Sequence, residues 1–139
     1  MRPTALLLQP YDYYFFGDTA NLPYGDKTEE EVFELTKTGV KHLFENDCLL
    51  VIIACNTASA QTLRRLQDEF LPAEYPDRRI LGVIVPTVEE VLGLQKQNVA
   101  MIATKRTVDS RKYPVELMNR GGGDIIFSAV ATPELVPFI

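Results

Sequence analysis

Short apolar runs alternate with amphipathic stretches along the chain. "DYYFF" (12–16) is aromatic and closed by Gly17, which predicts a strand. "TEEEVFELTKTGVKHLFEN" (28–46) opens with Thr28 and Glu31 at capping-box spacing, and Val32, Val40, Leu43 and Phe44 then share one helical face. "CLLVIIAC" (48–55) is nearly all apolar and rich in β-branched residues, the composition of a central parallel strand covered on both faces. A helix over about 57–70 follows, with Ala60, Leu63, Leu66 and Phe70 inward. "ILGVIV" (80–85) predicts a second buried strand. Thr87 and Glu90 then form a second capping box, opening a helix that carries Val88, Val91 and Leu92. "NVAMIAT" (98–104) is a further strand, Thr107 starts a helix, and Gly121–Gly123 turn the chain into "DIIFSAVA" (124–131). The alternation predicts an α/β fold: a mostly parallel sheet with helices on both faces.

Sites in such sheets gather beyond the carboxyl ends of the strands. The loops there are "GDTANLPYGDKT" (17–28), "CNTAS" (55–59), "VPT" (85–87) and "TKRTVDS" (104–110). Three of the four are rich in hydroxyls, Asn and Gly, which suits hydrogen bonding to a small polar ligand.

Composition narrows the partners. A net charge of −5 argues against general nucleic-acid binding, which needs a positive field. The basic pairs Arg64–Arg65, Arg78–Arg79, Lys105–Arg106 and Arg111–Lys112 are scattered and read as solvated surface. No apolar run reaches the roughly 18–20 residues of a membrane span. The opening "MRPTALLLQPYDYY" lacks a signal peptide's apolar core, so a cytoplasmic protein with no membrane partner is expected. Two cysteines without CxxC spacing and a single histidine, His42, fit none of the usual zinc patterns, and no metal is expected. His42 falls within the first helix, facing solvent.

Cys55 ends a strand just before a helix. The positive end of a helix favours thiolate, which can act as nucleophile or base. Asn56, Thr57 and Ser59 can donate hydrogen bonds to an anion, and Thr57 can also cap the helix. A small cysteine packed at a strand end is the competing reading. Cys48 begins the same strand, seven residues earlier. At ~3.3 Å per residue it lies about 23 Å away, too far to be a partner.

"YFFGDTANLPYGDKTEEEV", followed about thirty residues later by "VIIACNTASA", resembles glutamate racemase, of the cofactor-independent aspartate/glutamate racemase superfamily. "GVIVPTVEEV" resembles the segment where that family passes between two domains. "IATKRTVDSRKY" is similar to its "GT..TV.S..Y" segment, and "ATPELVPFI" to its "ACPLFVPLVE". The resemblance implies racemisation of glutamate without pyridoxal phosphate or any other cofactor. One thiolate removes the α-proton, and a second thiol on the other face returns a proton. D-glutamate so made serves peptidoglycan synthesis. Inversion explains the need for two thiols, because a single base returning its own proton would mainly give exchange. Cys55 matches the first catalytic cysteine. Asn56 and Thr57 match residues holding the substrate's carboxylate and amino groups, and Tyr24 and Gly25 match the "PYG" loop. A turn at Pro23–Gly25 and a helix cap at Thr57 are the plainer readings of the same residues. An aspartate or hydantoin racemase relative is the neighbouring reading, and a non-catalytic amino-acid-binding module the more distant one.

Two family features have no counterpart here: an N-terminal "FDSG" strand whose Asp assists the first cysteine, and a downstream "GCTHYP" bearing the second. Val85 also stands where some members have an acidic residue. The expectation is therefore a partial two-lobe racemase architecture, apparently truncated at both ends. Residues 1–86 would form most of the first lobe without its first strand, with Met1–Pro10 as the tail of the helix after it. Residues 87–139 would begin the second lobe. Uncovered apolar sheet surface should follow, and with it low stability or homo-oligomerisation.

Overall fold

The computed structural model describes residues 11–138. The Met1–Pro10 expectation lies outside them. After two 3-10 turns (Thr19–Asn21, Tyr24–Asp26) the order is α1 (Glu29–Glu45), β1 (Leu50–Ile53), α2 (Asn56–Arg65), a π-helical turn (Leu66–Phe70) and α3 (Leu71–Glu74). Then come β2 (Arg79–Gly82), α4 (Ile84–Gly93), β3 (Asn98–Ala103), α5 (Lys105–Asp109), α6 (Lys112–Asn119), β4 (Ile126–Ala131) and a closing 3-10 segment, Pro133–Phe138.

Both strand pairings are parallel, β1 with β2 and β3 with β4. They form two separate two-stranded sheets. The α/β class follows from the alternation, but the strands lie in two pairs.

α1 begins where the sequence places it. The Thr28 side chain accepts from the Glu31 amide at 3.3 Å, and the Glu31 carboxylate accepts from the Thr28 amide at 2.7 Å. Three glutamates in its first turn complement the helix's positive end. The helix buries Val32, Phe33, Val40 and Phe44 against Val51, Ile53, Leu66, Phe70 and Ile80. Burying side chains of this size contributes about 1.5–3 kcal/mol each, so this cluster dominates the first half's stability. A second cluster joins Ile84 and Val88 of α4, Tyr113 and Leu117 of α6 and Ala60 of α2.

α2 is the element that positions the site. Its backbone stays right-handed through Leu66 and Leu71, making one rod from Asn56 to Glu74 with a π-turn inside it. The Ser59 hydroxyl donates to the Ile53 carbonyl at 2.8 Å, pinning the first turn of α2 to the end of β1. Gln67 Nε2 donates to the Ile80 carbonyl at 2.9 Å, pinning the rod to β2 as well. Where β2 passes under the rod it carries Gly82. A Cβ there would meet Leu63 Cδ2 at 2.8 Å and Ser59 Oγ at 3.1 Å, so the close approach needs a residue without one.

Several expectations are corrected. Residues 12–16 are not a strand; they are irregular, exposed chain, with the Phe16 ring tilted against His42 at 5.4 Å. β1 is shorter than 48–55, and its residues are buried alternately rather than on both faces: Val51 and Ile53 face the core, while Leu50 and Ile52 are about half exposed. The 80–85 strand stops at Gly82, and α4 starts at Ile84, so Thr87 is no cap. Its hydroxyl donates back to the Val83 carbonyl at 2.7 Å. Pro86 is tolerated because it occupies the first turn, where no intrahelical amide donor is required. Thr107 does not start its helix either; Thr104 caps α5, and Thr107 sits buried one turn in.

Candidate functional site

Cys55 is the N-cap of α2, and the Ala58 amide donates to its sulfur at 3.5 Å. Its side chain is exposed, which sets aside the packed-cysteine reading. Cys48 precedes the opposite end of β1. Thr57, one of the cap candidates, is released for another task. Its buried hydroxyl lies 2.9 Å from Thr104 Oγ1 and 3.5 Å from Thr107 Oγ1, and those two are 3.1 Å apart. Three hydroxyls from α2 and from the start of α5 thus form a triangle joining the carboxyl ends of β1 and β3.

Gly25 abuts the same triangle: a Cβ there would stand 3.2 Å from Thr104 Cβ. Tyr24 next to it donates its hydroxyl to Asp18 Oδ2 at 2.7 Å, and Asn21 Nδ2 donates to the other oxygen, Oδ1, at 2.7 Å. These two bonds hold the Asp18 carboxyl below its ordinary range, the Tyr24 bond being the stronger influence. Burial, then the Asp18 bond and its charge, raise Tyr24 well above the usual tyrosine value, and a negative charge on Cys55 acts in the same direction. Tyr24 and Cys55 are therefore electrostatic neighbours.

Asn56 opens α2 beside Cys55, and its Oδ1 accepts from the Tyr113 hydroxyl at 2.6 Å. Next to this pair opens a cavity of about 300 Å³, walled by Val91, Val99, Met101 and Phe127. Asn56, Thr107 and Tyr113 line it as well, and Cys55 does not.

Five of the residues singled out in the sequence come to one place, Tyr24, Gly25, Cys55, Asn56 and Thr57, whereas Ser59 is buried with its hydroxyl committed to the Ile53 carbonyl. Three of the four candidate loops converge there, while "VPT" lies within α4. Asp18, Thr104, Thr107 and Tyr113 were not singled out. The signal for the threonines was present as hydroxyls three residues apart immediately after a strand. Among the described residues no group of His, Cys, Asp and Glu is placed to hold a metal ion, and no helix is long and apolar enough to cross a membrane.

The arrangement can do two things. It offers a sulfur at a helix N-terminus as base or nucleophile, and it offers amide and hydroxyl donors at the same edge for an anionic ligand.

No family model matches the chain. A glutamate racemase of Ruegeria pomeroyi is 40% identical over 127 residues, which are 84% of this chain and 46% of that protein. The structure of glutamate racemase from Aquifex pyrophilus superposes with a TM-score of 0.74 at 31% identity, covering 88% of this chain and 46% of the other. The Francisella tularensis glutamate racemase, solved in complex with D-glutamate, gives a TM-score of 0.65 at 26% identity over 81% of this chain and 40% of its own. The chain spans about half the length of the curated relatives it matches. The relatives by sequence and by fold are glutamate racemases alike, and over the part of their length that it spans the chain belongs to the glutamate racemase family.

Proposed function

We propose that this chain carries one face of a two-thiol glutamate racemisation site, with Cys55 as the base. The convergence of Tyr24–Gly25 on Cys55–Asn56–Thr57 is the observation that carries the reading. Glutamate is the substrate because the relatives are glutamate racemases and one of them is solved with D-glutamate. In the reaction the Cys55 thiolate takes the α-proton, and the electron pair left on the α-carbon spreads into the adjacent carboxylate. Asn56 Nδ2 and the Thr57 hydroxyl stabilise that developing charge. The thiol then returns a proton to the same face, and no cofactor takes part. Inversion needs a second thiol on the opposite face, and Cys48, the chain's other cysteine, stands at the far end of β1.

The wider reading follows the family. The protein is cytoplasmic, the family's racemisation supplies D-glutamate for peptidoglycan synthesis, residues 1–86 belong to one lobe and 87–139 begin the next. Copies associate through uncovered sheet faces.

The test is α-deuteration. Incubated with L-glutamate in D2O, the purified chain should exchange α-hydrogen for deuterium slowly, with configuration retained. Cys55→Ser should abolish exchange while keeping the melting temperature, since a serine oxygen caps a helix at least as well as sulfur. Accumulation of D-glutamate would overturn the single-thiol reading. Exchange that survives in the serine variant would remove Cys55 from its role.

A further inference from the structure

We propose that Tyr113 is a positioning residue that fixes the direction of the Asn56 side-chain amide. Its hydroxyl donates to Asn56 Oδ1 at 2.6 Å. With the oxygen end so occupied, the two Nδ2 hydrogens are the donors left to the amide, the polarity a carboxylate needs. An unanchored amide has two orientations of similar shape, and one of them turns a carbonyl oxygen toward the anion.

The two partners differ in rigidity. Asn56 is exposed at the first position of α2, whereas Tyr113 is 8% exposed and packed with Ile84, Val88 and Leu117. A group fixed by its core neighbours therefore orients one that is not. Burial also raises the Tyr113 phenol above its ordinary value of 10.0, with the neighbouring Thr87 side chain opposing the shift. The hydroxyl thus stays a donor throughout the neutral range. The bond ties α6 to α2 across 57 residues of chain. The inference rests on Asn56 contacting the substrate, as proposed above.

Tyr113→Phe in the full chain removes the donor and keeps the ring. In 15N–1H spectra recorded without ligand, the Asn56 side-chain amide should give one sharp pair in the parent, which shifts and broadens in the variant. The Kd for glutamate, by calorimetry, should rise roughly fivefold, the ratio one net hydrogen bond supplies. In an Asn56→Ala background the same change should add nothing. Leu71→Ala weakens the other core cluster, away from Tyr113; it should lower the melting temperature and leave the amide pair and Kd at parental values. In the parent itself, the Tyr113 hydroxyl proton should exchange slowly enough to give a cross-peak to the Asn56 side chain, a measurement that needs no variant to fold. An unmoved amide pair in Tyr113→Phe, an affinity loss that Leu71→Ala reproduces, or a missing cross-peak overturns the proposal. If the parent binds no glutamate, the substrate reading fails, while the ligand-free spectra still decide what Tyr113 does.

Discussion

The sulfur of Cys55 sits where a helix cap and a reactive thiol have the same requirement, negative charge facing free backbone amides. With Cys55 directly ahead of Asn56 and Thr57, a thiol, an amide and a hydroxyl arrive in one turn. Adjacent in sequence, these three were legible without a structure. Tyr24 and Gly25 were legible only through their motif, since nothing in a Pro-Tyr-Gly turn says what it packs against. Thr104, Thr107 and Tyr113 meet their partners across some fifty residues, and such contacts are set by docking of elements rather than by local pattern.

Asp18 carries a prediction at this same scale. Its carboxyl is held below the ordinary 3.8 by the Tyr24 and Asn21 bonds, so the folded state binds its proton less readily than the unfolded chain does. The stability this contributes is fully present above pH 3.8 and is lost as pH falls from there through the folded-state value. Asp18→Asn should therefore lower the melting temperature at pH 7 and narrow the gap to the parent by pH 3. Thermal melts across that range check it, and a gap that widens in acid would contradict the assignment.

Among the elements, α1 was read almost to the residue because its start is written as a reciprocal cap. Thr28→Ala should cost about 1 kcal/mol by breaking the box, measurable as a lower denaturation midpoint at an unchanged m-value. α4 was misread for a physical reason. Gly82–Val85 is apolar and β-branched enough for a strand, but β2 has to turn beneath the α2 rod at Gly82, and the helix begins at once. The aromatic run 12–16 has strand composition but no strand beside it among the described residues, and composition without a partner does not make a sheet.

At the level of the whole molecule, the apolar run in β1 implied cover on two faces, and the described residues supply one. Leu50, Ile52 and Leu81 stay about half exposed on one sheet, and Ile102, Ile126 and Val130 more so on the other. A single sequence shows that a face is apolar; it does not show what lies over it. Faces of this kind favour self-association. Sedimentation velocity should show mass rising with concentration, and Ile52→Lys with Val130→Lys should return the protein toward monomer. A monomer at every concentration would rule this out.

The pairing of each strand with its immediate successor has a further consequence. Each parallel pair closes within its own stretch of chain, β1 with β2 and β3 with β4, so neither sheet waits on the other to form. The hydroxyl triangle and the Asn56–Tyr113 bond, by contrast, exist only once the two stretches have docked. The edge that carries the candidate site therefore depends on that docking. Agents that loosen the docking should take the candidate site apart while the helices that frame it are still wound.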